Sequence, residues 1–284
     1  MSTTTVKTIN STMFDLTSSE LGKKSQYINK YKPDLLFAIP RKLKRAELFV
    51  GQNPVRFHGV DIWNAYEVSW LDMQGKPQVR IAEITYDANS EFMVESKSLK
   101  LYLNSFNNSN FNTPEEVHNL ITNDLSTILK TKIKCVLYNV ESSHYIPQKI
   151  QGILLDNLDI NIKNCKDKPI LEQAHDTVEE LLYTHLLKSN CLVTGQPDFG
   201  SLIIRYSGQK INHISVLRYI ISLRNLNEFH EQCIERIFFE IYKNCRPNFL
   251  EVSARYTRRG GIDINPIRSS SENFTQSNYR SFRQ

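Results

Sequence analysis

The strongest constraint on this chain is that it contains the same pattern twice. Residues 95–108 read ESKSLKLYLNSFNN, with Leu99, Tyr102, Leu103 and Phe106 at the i, i+3, i+4, i+7 spacing of an amphipathic helix. Residues 215–225 read SVLRYIISLRN, with Val216, Tyr219, Ile220 and Leu223 at that spacing again. A shift of 117 residues lays Ser98 on Ser215, Tyr102 on Tyr219, Ser105 on Ser222 and Asn108 on Asn225. The shift also sets Thr113-Pro114-Glu115-Glu116, a capping box with proline at the first helical position, opposite His230-Glu231-Gln232-Cys233. A second helix should therefore begin at His230. The strand-like KIKCVLYNV (132–140) falls opposite FLEVSARYT (249–257).

Upstream, VDIWNAYEVSWLDMQGKPQVRIAEITYD (60–87) reads as a hairpin, two β-rich runs around a Gly-Lys-Pro turn. Its counterpart is EELLYTHLLKSNCLVTGQPDFGSLIIRYSG (179–208), although the register there is not constant. The spacing of Val178, Leu181, Leu182 and Leu186 also allows a helix, and the repeat favours strands on both sides of the cysteine turn. Each half is then a strand hairpin, two helices and a further strand, an α+β architecture with an antiparallel sheet and helices on one face. The polar NLDINIKNCKDKP (157–169) is the expected join, giving modules 1–156 and 157–284.

Charge and cysteine usage narrow the class. A formal net charge of +5 suits an anionic partner, either a phosphate-bearing cofactor or nucleic acid, without choosing between them. Cysteines at 135, 165, 191, 233 and 245 form no CxxC pair, which points to free thiols in a reducing cytoplasm. The polar MSTTTVKTINST start and the lack of a long apolar run argue against secretion and membrane spanning. The seven histidines match no HExxH or CxxC-type spacing, so no metal is expected. There is no GxGxxG or GxxxxGK[ST], so a nucleotide would be held by something other than a Rossmann or P-loop turn.

The segment NCLVTGQPDFGS (190–201) joins a thiol and a carboxylate in one turn. Cysteine is a strong nucleophile only as thiolate, so a reactive Cys191 should sit partly exposed near positive charge or hydrogen-bond donors. Asp198 could serve as a proton donor if burial raised its pKa. The plainer alternative makes Cys191 a small hydrophobe and Asp198 a turn-former beside Pro197 and Gly200.

Four segments in order, ESKSLKLYLNSFN (95–107), CLVTGQPDFGS (191–201), FHE (229–231) and ARYTRRGGIDINP (254–266), resemble one family. It is the NADPH-dependent 7-cyano-7-deazaguanine reductases, the nitrile reductases of queuosine biosynthesis, in their long two-module form. The likeness covers nearly the whole chain. Leu192 and Phe199 stand where many members carry Pro and Trp. The resemblance implies that Cys191 adds to the nitrile carbon as a covalent thioimide and that Asp198 handles the proton on nitrogen. Two hydrides from two NADPH then complete the amine. It implies that Glu231 grips the guanine-like edge, that His230 bounds the pocket, and that Val94, Glu95 and Ser96 contribute to the substrate site. Ser96, Lys97, Arg259 and Gly260 would meet the dinucleotide. A helix starting near Ser96 would add free amides and Lys97 a charge, suited to phosphate. Each of these residues also has a structural reading: a dipole-favoured helix start for His230 and Glu231, a solvated helix end for Ser96 and Lys97, a basic tail for the arginines.

The fold implied is the tunnelling fold (T-fold), two modules in tandem. The ESKS-type motif stands only in the N-terminal half and the cysteine turn only in the C-terminal half. Pockets are therefore expected between N- and C-terminal modules of a homodimer, with a small deazaguanine as substrate and no direct nucleic-acid partner. Two other classes compete. A non-catalytic RNA- or nucleotide-binding protein would draw on the Arg-rich end and would have no need of Cys191. A pterin-processing enzyme of the same fold would oxidise no NADPH with a nitrile.

Overall fold

The computed structural model describes residues 27–48, 56–161 and 169–284. Cys165 and most of the expected join lie outside the described residues. Among the described residues, a 3-10 turn (Pro33–Leu35) leads into a short strand β1 (Ala38–Pro40) and a helix α1 (Arg41–Leu48). The long hairpin of β2 (His58–Leu71) and β3 (Pro77–Asp87) follows. Next come β4 (Phe92–Val94), α2 (Ser96–Ser105), α3 (Pro114–Leu129), β5 (Lys134–Tyr138) and β6 (Ile153–Leu154). The second half repeats the plan with β7 (Gln173–Asn190), β8 (Pro197–Ile211), α4 (His213–Ser222), α5 (His230–Cys245), β9 (Phe249–Tyr256) and a further strand β10 (Ile262–Ser269).

The strands of the two halves form one sheet in the order β5-β3-β2-β10-β9-β8-β7-β6. Every pairing is antiparallel except β6 with β7. The seam between the halves is β2 against β10, in unbroken register from Ile262 opposite Ala65 to Ser269 opposite His58. β1 and β4 make a separate two-stranded ribbon that leads straight into α2.

Capping sets the helix starts. The Thr113 side chain accepts from the Glu116 amide at 3.2 Å, and the Glu116 carboxylate accepts from the Asn112 amide at 2.8 Å, one residue earlier than in an ideal capping box. The repeat is conserved at the level of hydrogen bonds. Ser98 donates to the carbonyl of Glu95 at 2.7 Å and Ser215 to that of Asn212 at 2.7 Å, while Ser105 and Ser222 each donate three residues back at 2.6 Å. Apolar residues along α3, Val117, Ile121, Leu125 and Leu129, are each fully buried against Trp63, Ala82, Ile84 and Cys135. Val216, Ile220, Ile234, Ile237 and Ile241 fill the matching core of the second half over Leu202, Ile204 and Val252. The cores interlock: Phe57 and Ala88 join the second, and Phe229 packs on the first.

The stretch whose spacing also allowed a helix is a strand, and a bulge explains the ambiguity. The β7–β8 register shifts between Thr184 and Leu187, so Leu182 and Leu187 both face the helices although they stand five positions apart, an odd offset that regular alternation would send to opposite faces. β2 carries the same device between Ala65 and Val68.

Candidate active site

The end of β7 and the start of β8 present the cysteine turn. The Cys191 amide donates to the Gln196 carbonyl at 2.8 Å, and the Gly195 amide donates back to the Cys191 carbonyl at 3.0 Å. Gly195 sits at φ +66, a left-handed conformation that glycine adopts without a Cβ penalty. Pro197 opens β8, where a proline costs no ladder bond within the strand. A second loop is clipped to this end: the Asn190 amide donates to Leu226 at 2.9 Å and the Glu228 amide to Asn190 at 3.0 Å. α5 therefore begins beside the turn.

Cys191 and Asp198 are each only 6% exposed, against the expectation of a partly open thiol. Burial pushes the Cys191 thiol up, but the Thr194 hydroxyl, the Thr194 and Val193 amides and Arg259 favour the thiolate and hold it below its ordinary value. Donated hydrogen bonds do here what solvent was expected to do. The Asp198 carboxyl goes the other way, raised by burial more than Arg259 and Lys100 can lower it. Arg259 Nη2 lies 3.1 Å from Asp198 Oδ1, and its Nη1 donates to Gln196 Oε1 at 2.6 Å.

His230 opens α5 with its ring edge-on to Tyr256, centroids 4.2 Å apart, and Nε2 3.8 Å from Asp198 Oδ1. Its pKa is lowered to about 3 by burial and by Arg259 and Lys100, so the imidazole is neutral. Glu231 is 3% exposed, and its Oε1 is buried without a hydrogen-bond partner among the described residues. Burial, then Asp61, raise its pKa, with Arg41 and Arg268 opposing. Tyr86 connects this region to the N-terminal motif: it lies in the field of Glu231, Asp61 and Arg41, and its hydroxyl accepts from the Val94 amide at 3.4 Å.

In the N-terminal half, Glu95 caps α2. Its two carboxylate oxygens accept from the Lys97 amide at 2.7 Å and the Ser98 amide at 2.8 Å. The expected free amides at this helix start are therefore taken at Lys97 and Ser98 by the chain's own carboxylate. One turn on, Lys100 has its pKa lowered to about 8 by burial and by Arg259, with Glu95, Asp198 and Cys191 pulling the other way. Gly260 and Gly261, at φ +63 and +78, bring the backbone close to it: a Cβ on Gly260 would stand 3.1 Å from the Lys100 side chain. Lys100, Asn104, Glu67 and these glycines line a cleft of about 170 Å³.

Cys191, Asp198, His230 and Arg259 thus cluster, Gly260 adjoins them through Lys100, and Val94 joins Glu231 through Tyr86. Ser96 and Lys97 form the first turn of α2 beside them. Lys100, Gln196 and Tyr86 were missed from the sequence; Lys100 lies three residues beyond Lys97 in the quoted motif, the one signal that could have found it. A larger cavity of about 770 Å³ lies elsewhere, along Pro77–Arg80 and residues 137–143 at the β3–β5 edge, and holds none of these groups.

Residues 27–137 match the family described as nitrile reductase, 7-cyano-7-deazaguanine-reductase N-term, and residues 197–275 match that of the QueF-like protein. The NADPH-dependent 7-cyano-7-deazaguanine reductase of Coxiella burnetii (strain RSA 331 / Henzerling II) is 49% identical over 268 residues, 94% of this chain and 96% of that one. The protein of the same name from Legionella pneumophila (strain Lens) is 51% identical over 255 residues, 89% and 90% of the two chains. Among solved structures, the archaeosine synthase QueF-Like in the apo form aligns with a TM-score of 0.30 at 14% identity, over 34% of this chain and 96% of that one.

Proposed function

The chain belongs to the family of NADPH-dependent 7-cyano-7-deazaguanine reductases, and on that premise we propose that it reduces the nitrile of 7-cyano-7-deazaguanine to the aminomethyl group through a thioimide on Cys191. One observation carries this reading: around the single guanidinium of Arg259, the thiol is shifted down and the neighbouring carboxyl up. Those directions favour the charge on sulfur and the proton on the carboxyl, the pairing that addition to a nitrile requires. The sulfur lone pair forms the C–S bond, one C≡N π pair moves to nitrogen, and the Asp198 proton quenches it. NADPH, when bound, supplies a hydride to that carbon, and two such deliveries with two protons take a nitrile to a primary amine. Loss of the C–S bond between the two deliveries restores the thiolate and leaves the imine that takes the second hydride. Asp198 shuttles the protons, and neutral His230 bounds the nitrogen side as donor or acceptor.

Glu231, whose buried Oε1 has no hydrogen-bond partner among the described residues, suits the donor edge of a guanine-like ring. Val94, Glu95 and Ser96 wall that end, with Glu95 acting through the α2 start that it caps. The fit for a dinucleotide rests on Arg259, Lys97, Ser96 and the Gly260 cleft, to which Lys100 adds a cation. The modules are 1–156 and 157–284, in tandem T-fold arrangement. Groups from both halves, Lys100 and Arg259 among them, approach one another, in keeping with pockets between modules. The outer edge of β5 has no strand partner among the described residues, which suits closure of a ring by a second copy in a cytoplasmic homodimer. The product would serve tRNA queuosine synthesis.

The test is NADPH absorbance with 7-cyano-7-deazaguanine offered to the purified protein. Two NADPH consumed per amine, with at least about a thousandfold loss in Cys191→Ala, is the expected result. No consumption by folded wild-type protein would overturn the reading.

A further inference from the structure

Behind the site, on the sheet face away from the helices, runs the segment 277–284. Arg258 and Arg259 are neighbours in the turn between β9 and β10, yet they serve opposite faces. Arg259 reaches Asp198 and Gln196 on the site side. Arg258 lies over the Tyr66 ring at 4.0 Å and donates to the Gln284 backbone carbonyl at 3.4 Å. Arg280 donates to the same oxygen from Nη2 at 2.8 Å and from Nε at 3.1 Å. The Gln284 side-chain amide in turn donates to the Tyr256 carbonyl at 3.1 Å and to Asn265 Oδ1 at 2.7 Å, while its Oε1 accepts from the Ser281 amide at 3.0 Å. Arg283 donates to the Gly200 carbonyl at 3.2 Å and lies 6.0 Å from the Phe199 ring centre.

The two strand ends that carry Asp198 and Arg259 are therefore gripped from behind by one short segment. The grip answers a local weakness. The turn at 259–261 holds two consecutive glycines at positive φ, the least restrained backbone available, and its own closing bond is the Arg259 amide to Ile262 at 2.9 Å. The cysteine turn, by contrast, is closed internally through Gln196 and Gly195. A charge-assisted network on the Gln284 carbonyl is strong enough to set the position of a glycine turn.

We propose that Arg258, Arg280 and Gln284 form a positioning brace that holds the Arg259–Gly260 turn in register with Asp198, setting affinity for the dinucleotide more than the reactivity of Cys191, whose own turn is closed through Gln196 and Gly195. The proposal rests on the reading of Arg259 and Gly260 as cofactor-binding residues. These are positioning residues; none touches substrate.

The experiment compares wild type with Gln284→Ala and with a chain ended after Tyr279. For each, NADPH binding is titrated by fluorescence, KM and kcat are measured, and thioimide formation is followed by absorbance on adding 7-cyano-7-deazaguanine without NADPH. The expected result is a roughly tenfold weaker NADPH Kd and KM, the loss of about two side-chain hydrogen bonds that seat the Gln284 carbonyl under Arg258 and Arg280, with the adduct still forming. The shortened chain should show the larger effect. NADPH affinity within twofold of wild type in folded Gln284→Ala would overturn the brace. So would loss of the adduct together with NADPH affinity, since that marks a general structural role. An active wild type with unchanged variants counts against the brace alone, whereas a wild type that neither binds NADPH nor turns over sinks both readings.

Discussion

At Cys191 and Asp198, seven positions apart, the same burial acts on two groups with different donors around them. The thiolate is met by two amides, a hydroxyl and a guanidinium, and the carboxyl by the charges of Arg259 and Lys100 alone, so burial loses in the first case and wins in the second. A raised Asp198 keeps its proton until the pH climbs through its folded pKa, so turnover should fall on the alkaline side. In Asp198→Asn, kcat should drop by about 10²- to 10⁴-fold and that limb of the pH profile should vanish. His230 makes a prediction about stability. Its pKa is lowered from 6.5 to about 3, so as the pH falls the unfolded chain takes up the proton first. Stability is full above about 6.5 and drains between there and about 3. His230→Asn should flatten that part of a curve of melting temperature against pH; an unchanged curve would mean that the ring is not held neutral. Cys191, Asp198, His230 and Arg259 were legible as motif residues. Lys100 was not named, because what marks it is its approach to Gly260, 160 positions away, rather than anything beside it in the chain.

Among the elements, the helices were the most legible, since their caps and apolar stripes are set by residues three or four apart. α2, α3, α4 and α5 all lie where the spacing put them, with the run to Asn225 finishing as a short 3-10 turn (Leu223–Asn225) after α4. The strands were harder, because a single inserted residue inverts the inside-outside alternation, and both hairpins contain one. The repeat also hides a divergence. The Tyr102 hydroxyl donates to Asp124 at 2.6 Å, but Ile241 stands at the corresponding position of the second half, and the buried Tyr219 hydroxyl has no hydrogen-bond partner among the described residues. The β2–β10 seam depends on close approach at one glycine: a Cβ on Gly59 would lie 2.0 Å from the Ile267 carbonyl oxygen. Gly59→Ala should cost about 3 kcal/mol or more, read as a lowered denaturant midpoint. A wild-type midpoint would show that the seam can shift to admit a methyl group.

Over the whole molecule, the seam is reinforced by buried charge. Arg268, fully buried, donates to Asp61 from the N-terminal half at 2.8 Å and to Glu235 of α5 at 2.9 Å, while Arg41 pairs with Asp61 and Arg45 with Glu235. Removing one member strands its partners without solvent. Arg268→Met should therefore lose about 3–5 kcal/mol, with wild type unfolding in one transition across both halves. Two separate wild-type transitions would mean that the halves fold independently. The duplicated plan, the helix positions and the thiol–carboxylate turn were legible along the chain, because each is encoded by residues near one another. That the halves share one sheet emerged on folding alone, since the joining strand β10 pairs with a strand some 200 residues earlier. So did the ionisation of the site, because burial and the approach of Arg259, Lys100 and Asp61 depend on which distant surfaces meet.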